Sequence, residues 1–253
     1  MFAVLSPAKK LTDCQRGLPV TEPVMLTDTS LLLDRLRGLS RKQLSSLMGI
    51  SDKLTELNHG RYQAFKTTTP ASATPAALTF AGDTYQGFDA PNLSDTELSF
   101  SQNHIGILSG LYGLLRPLDM IQPYRLEMGS GLATKRGKTL YDFWGTRITA
   151  HINRITEAHS DRTLVNLASK EYFSSLQPVD LAGQVITPIF KDVRKGKAKV
   201  ISFLAKRARG AMARYIVKEA LDSPEGMKDF TSAGYSYQPN LSTDHDWVFL
   251  RPE

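Results

Sequence analysis

The chain has 253 residues, 41% of them apolar, enough to bury a core without staples, and its single cysteine, Cys14, excludes an intrachain disulfide scaffold. No stretch approaches the roughly 20 consecutive apolar residues that a membrane-spanning helix needs, so a spanning protein is excluded. The formal net charge of +6 attracts acidic partners more readily than basic ones.

The start, MFAVLSPAKK, reaches Lys9 and Lys10 after a very short apolar run, which is not the pattern of a secretory signal, so a cytoplasmic location is expected. Within it, FAVL predicts a buried strand that emerges at Ser6-Pro7 into a polar loop, placing Ser6 and Lys9 at its carboxyl end. From Ser30 to Phe65 the pattern is helical. Ser40 with Gln43 three residues on predicts a capping box, Gly49 a stop and Ser51 a restart, so two or three packed helices are expected. Residues 67 to 77, TTTPASATPAA, suit a surface excursion.

HIGILSGLYGLLRP, residues 104 to 117, reads as two short helices joined by a glycine-rich turn. In such a helix-hairpin-helix-like element, backbone N–H groups around Gly110 and Gly113 grip a phosphate without reading sequence; the alternative is a tight structural turn between core helices. Strands are predicted at TLVNLA, QVITPIF and KVISFL, then a long helix from Ser202 to about Leu221, then β-prone segments at GYSYQ and DWVFLR. Strands mixed with helices in no regular alternation predict an α+β fold, one compact domain over residues 1–253 with a mixed β-sheet surrounded by helices.

Charge is segregated. Residues 191 to 218 carry ten basic side chains against one acid, Asp192, a net of +9 that leaves the rest of the chain at −3. On the long helix, with about 100° per residue, Ala208, Ala211, Met212 and Tyr215 share an apolar stripe, Arg207, Arg214 and Lys218 line one flank, and Lys206 and Arg209 lie towards the opposite face. The usual fate of a charge run is a solvated face. The sharper reading is a track for a polyanion, most readily DNA, with Gly196 and Gly210 letting the backbone approach closely.

A second constellation joins Ser6 and Lys9 at one strand end with Asn166 and Ser169 in NLASKEY, another strand leaving into a helix cap. Loops at the carboxyl ends of strands suit ligands, so these four residues form a candidate small-anion site, and a desolvated Lys9 could act as a nucleophile. More often such groups are a surface charge and a cap. The five histidines are scattered, no paired-histidine spacing occurs, and no dinucleotide or phosphate-loop glycine motif is present, so neither a metal site nor a cofactor is expected. The aromatic motifs GDTYQG and LYDFWG are expected to build core, with base stacking by Tyr85, Tyr141, Phe143 or Trp144 as the alternative.

In order along the chain, SPAK, ISDKL, GDTYQG, SGLYGLLRPLDMIQPYRLEMG, LYDFWG, NLASKEYF, ISFLAKRARGAMARYI and GYSY resemble the YaaA family of bacterial peroxide stress resistance proteins, nearly end to end. The resemblance implies a positively charged cleft, a helix-hairpin-helix-like element, binding of duplex or distorted DNA, and a role in limiting iron-dependent oxidative DNA damage. Carried over residue by residue, it implies that Lys9, Lys53, Arg116, Arg125, Lys206, Arg207 and Arg209 line the cleft, with Glu127 pairing to one of the arginines. A non-enzymatic DNA binder is the leading expectation. The alternative is an enzyme acting on a nucleobase, nucleotide or small anion, for which a deep pocket joining the Ser6–Lys9 loop to Asn166 and Ser169 is the sign.

Overall fold

The apolar run FAVL becomes the strand β1 (Phe2–Leu5), buried along its whole length. A strand buried on both faces needs partners on both edges and layers above and below it. The computed structural model, which describes residues 1–12, 16–17 and 19–253 and so leaves Cys14 outside the described residues, supplies both. The other strands of the main sheet are β2 (Ile105–Ser109), β3 (Gly113–Leu115), β4 (Leu164–Leu167), β5 (Val185–Arg194), β6 (Lys197–Lys199), β7 (Ser236–Tyr237) and β8 (Asp246–Arg251). Their order is β7-β8-β5-β4-β1-β2-β3, with β6 paired to β5. The centre is parallel: β1 pairs with β2 and β4, β4 with β5, and β5 with β8. The pairings β2 with β3, β5 with β6 and β7 with β8 are antiparallel, so the sheet is mixed and the fold α+β, as expected.

Helices cover the sheet: α1 (Leu26–Arg37), α2 (Arg41–Met48), α3 (Asp52–Ala64), α4 (Asp83–Phe88), α5 (Asp95–His104), α6 (Leu140–Trp144), α7 (Arg147–Ile155), α8 (Lys170–Phe173) and α9 (Ser202–Lys218). The predicted capping box closes at the start of α2, where the Ser40 hydroxyl accepts from the Gln43 N–H and the Gln43 side chain accepts from the Ser40 N–H. Gly49 ends that helix in the left-handed region at φ +58°, where glycine carries no Cβ penalty. Buried aromatics from LYDFWG, Phe143 and Trp144, sit in the core. Among the described residues no helix is long and apolar enough to cross a membrane.

Three local expectations are corrected. Residues 105–115 are not two helices around a turn but a β-hairpin, with Ile107 opposite Leu115 and Ser109 opposite Gly113. IGIL and GLL are short, wholly apolar runs, and such runs are satisfied as buried sheet strands when a neighbouring edge is open. Gly110 and Gly113 are buried with them: the Gly110 carbonyl accepts from the Trp144 indole at 3.1 Å, and Gly113, at φ +73°, lies under the Trp144 ring. Neither can offer its backbone to a phosphate. Of the presumed excursion, residues 67–72 are exposed or half-buried but residues 73–77 are buried, and Thr74–Pro75 pair with Met120–Ile121. The stretch KVISFL divides between the end of β6 and the first turn of α9.

Gly210 is also buried. A Cβ there would overlap the Thr84 carbonyl oxygen, and one at Gly87 would overlap the Arg207 carbonyl oxygen, so the pair lets α4 and α9 pack backbone to backbone. The expected close approach of Gly210 is therefore to a helix and not to a polyanion.

Gly210→Ala is expected to destabilise the fold by about 1–3 kcal/mol or more, because the contact is with backbone and cannot relax cheaply; urea unfolding measures it. A second expectation concerns acid. His104 stacks between Phe100 and His159, with ring centroids 3.9 and 4.8 Å away, and burial lowers its pKa to about 4. His151 is lowered to about 4 by burial and then by Arg154 and Arg116. The unfolded chain takes up these protons near pH 6.5 and the folded chain only near 4, so stability present above about pH 6.5 is lost as the pH falls through that window. The melting temperature should drop between those values, and His104→Phe should lessen the drop.

Candidate functional site

Because β1 and β4 are parallel neighbours, the chain leaves both at the same sheet edge. Ser6 and Ser169 meet there: the Ser6 hydroxyl oxygen accepts the Ser169 N–H at 2.9 Å and lies 3.3 Å from the Ser169 hydroxyl. A cavity of about 460 Å³ opens at this edge, walled by Ser6–Lys10, Ala81–Tyr85, Tyr124–Glu127, Leu167, Ser169, Glu171, Tyr172, Lys206 and Arg209. Its size is in the range of small-molecule sites. Lys206 and Arg209, three residues apart on α9, share the helical face that looks into it.

The charges in this cavity are unevenly satisfied. Glu127 Oε1 accepts from Arg125 Nε at 2.9 Å and lies 3.5 Å from Lys9 Nζ, so one carboxylate serves two cations. Glu171 accepts the Gly129 N–H at 2.9 Å. The Tyr85 hydroxyl donates to the Ser6 carbonyl at 3.0 Å, and the Tyr124 hydroxyl pairs with Ser109 at 2.6 Å. Burial pushes the Tyr85, Tyr124 and Tyr172 phenols up, so all three stay protonated and act as hydrogen-bonding groups. Arg209 is the exception. Its Nε is buried with no hydrogen-bond partner among the described residues, and burial lowers its pKa from the ordinary value.

The other expected site residues separate into three groups. Arg116 is bound to the buried carboxylate of Asp119, with Nη2 to Oδ1 at 3.0 Å and its own N–H to Oδ2 at 2.8 Å. Arg214 donates to the Asp89 carbonyl at 2.7 Å and lies 3.4 Å from the Asp89 carboxylate. Both are structural ties, and neither lines the cavity. Asn166 is nearly buried, accepts the Ala168 N–H at 3.1 Å and supports the loop without reaching the cavity wall. Lys53 is exposed on α3, also outside the cavity wall.

A third group is free. Arg194, Lys195, Lys197, Lys199 and Arg207 are exposed and in no ion pair among the described residues. The first four crown the β5–β6 hairpin, whose two-residue turn places Lys195 at φ +52° and Gly196 at φ +70°, the left-handed pair that suits strand twist. Asp192, the only acid of the segment, is turned inward, where it accepts from Tyr235 at 2.9 Å and from Arg251 Nε at 2.6 Å. The buried carboxylate anchors the hairpin while its basic residues face solvent with no acid of their own segment beside them.

Comparison with known proteins bears on this architecture. A family model described as "Peroxide stress protein YaaA" matches residues 1–241. The chain belongs to the YaaA peroxide stress protein family. It is 52% identical over 257 residues to a UPF0246 protein of Tolumonas auensis, covering 100% of this chain and 98% of that relative. It is 52% identical over 254 residues to one of Magnetococcus marinus, covering 99% of each, and 51% identical over 257 residues to one of Burkholderia lata, covering 99% and 98%.

Within this YaaA-family site, sequence reasoning missed Asp83 and Tyr172 as cavity residues. GDTYQG reads as core or as a base-stacking motif, whereas NLASKEY already belongs to the candidate anion site; only the meeting of distant loops brings Asp83 and Tyr172 to the same cavity. Glu127→Gln is expected to cost about 2 kcal/mol, because it strands a largely buried guanidinium on Arg125. Lys9→Ala is expected to cost under about 1 kcal/mol, since the Lys9 amine is mostly exposed. Denaturant titration of both variants checks the contrast.

Proposed function

We propose that this protein binds DNA in the peroxide stress response and limits iron-dependent oxidative damage to it, holding the phosphate backbone with the β5–β6 hairpin and the exposed edge of α9. The observation that carries this reading is the sorting of the basic side chains. Arg116, Arg125 and Arg214 are committed to partners within the fold, whereas Arg194, Lys195, Lys197, Lys199 and Arg207 remain exposed and unpaired among the described residues. A polyanion binds most strongly where cations have no competing carboxylate, because each neutralised phosphate releases counterions into bulk solution. A twisted two-stranded ribbon with a tight turn is also narrow enough to follow a groove.

The same geometry argues against sequence reading as the main source of affinity. Lysines at a solvent-exposed turn are flexible point charges, suited to phosphate and poorly suited to fixed bidentate contacts with bases. Duplex and distorted DNA are both compatible with such a grip. A covalent role for Lys9 has less support, since its amine is mostly solvated and paired with Glu127, whereas a nucleophilic lysine needs desolvation.

Duplex affinity measured against salt tests the proposal. The wild-type chain is expected to lose affinity linearly in log–log form as salt rises. The combined Lys197→Ala, Lys199→Ala and Arg207→Ala variant should lower affinity by about tenfold or more and reduce the slope by about 2–3. Affinity that ignores salt, or a triple variant with an unchanged slope, would sink the reading.

A further inference from the structure

We propose that the cavity at the carboxyl edge of β1 and β4 binds a phosphate monoester, with Arg209 as the anchoring cation and Lys206 beside it. This site is separate from the hairpin surface and does not depend on it.

Charge is the first ground. The cavity wall carries five cations, Lys9, Lys10, Arg125, Lys206 and Arg209, against three carboxylates, Asp83, Glu127 and Glu171, which leaves two positive charges in excess. Two of the cations, Lys9 and Arg125, already share Glu127. Glu171 is held by the Gly129 N–H. Lys10, Lys206 and Arg209 are left with no carboxylate in contact among the described residues, and two of these three stand on α9.

Arg209 is the second ground. A guanidinium stays charged in proteins, and a charge taken out of water is retained only where something offsets its lost hydration. Among the described residues Arg209 has no carboxylate, carbonyl or hydroxyl partner, its Nε is sealed from solvent, and the residue lines the cavity. An anion in the cavity lies against this delocalised charge and offsets its lost hydration without needing to reach Nε. A phosphate monoester carries about −1.5 to −2 charges at neutral pH, which matches the surplus, and its oxygens fit the guanidinium fork.

Size and lining give the rest of the ligand. About 460 Å³ exceeds what a lone phosphate fills. Pro7, Leu167, Tyr85, Tyr124 and Tyr172 bring apolar surface to the lining, and Asp83 and Glu171 are acceptors suited to hydroxyl or amino groups. A nucleoside monophosphate has all of these parts. It could be free, or it could be the phosphorylated end of a DNA strand; the recognition chemistry is the same.

Calorimetric titration of the full chain in phosphate-free buffer tests this, using a deoxynucleoside 5′-monophosphate, the matching deoxynucleoside, and one DNA duplex with 5′-phosphate or 5′-hydroxyl ends. The monophosphate, the phosphorylated end or both should bind at least about tenfold tighter than the unphosphorylated form, and Arg209→Met should remove that difference while the hydroxyl-ended duplex binds Arg209→Met as it binds wild type. Dependence on Arg209 for the free nucleotide assigns a nucleotide ligand; dependence only for the duplex end assigns a DNA terminus. Without ligand, Arg209→Met should melt no lower than wild type, since it removes an unpaired charge, and the monophosphate should raise the melting temperature of wild type alone. No phosphate-dependent binding by either probe, or phosphate-dependent binding that survives Arg209→Met, overturns the inference. The hydroxyl-ended duplex reports on the hairpin surface by itself, so failure there leaves this result readable.

Discussion

The parallel pairing of Phe2–Leu5 with Leu164–Leu167 is the constraint on which the site depends. Two strands that run the same way must release their chains at one edge, and the loops that follow are then held within hydrogen-bond reach of each other. Ser6 accepting the Ser169 N–H is the local signature of that rule, across 163 residues of sequence. Once those loops meet, the Tyr124–Glu127 segment and α9 need only close the sides to make a cavity. The close packing of α9 on α4 through Gly210 and Gly87 sets the face of α9 that turns inward, and with it the placement of Lys206 and Arg209.

Basic residues in this protein do three different jobs, and residue type does not distinguish them. Arg116, Arg125 and Arg214 are internal ties whose partners are Asp119, Glu127 and the Asp89 region. Removing the carboxylate from such a pair costs more than the pair contributes, because it strands a charge away from water. Hairpin lysines and Arg207 are hydrated and available to a polyanion. Arg209 is neither tied nor hydrated at its Nε, which is why it points to a ligand where the others do not.

Much of the fold was legible in the chain. FAVL, TLVNLA and DWVFLR are strands because short β-prone runs bounded by polar loops have few other stable uses. The Ser40 to Gln43 box and the Gly49 stop work through contacts within four residues, so local sequence decides them. The stretch from Ile105 to Leu115 was not legible. Its glycines suggested a phosphate-gripping turn, yet a short apolar run satisfies a helix or a strand equally until a neighbouring strand edge is present, and the edge of β1 decided for the hairpin.

The site was legible in part and for a similar reason. Ser6, Lys9 and Ser169 could be placed together because strand ends are local features and a sheet gathers them. The +9 segment could be seen as a charge reservoir, but its division into a free hairpin, the tied Arg214 and the buried Arg209 could not. Sequence by itself determined the strands, caps and the amount of positive charge, since these follow from side-chain type and spacing over a few residues. Only tertiary structure decided which cations find a carboxylate, because that depends on residues such as Arg209 and Glu127 being brought into one cavity by strands and helices far apart in the chain.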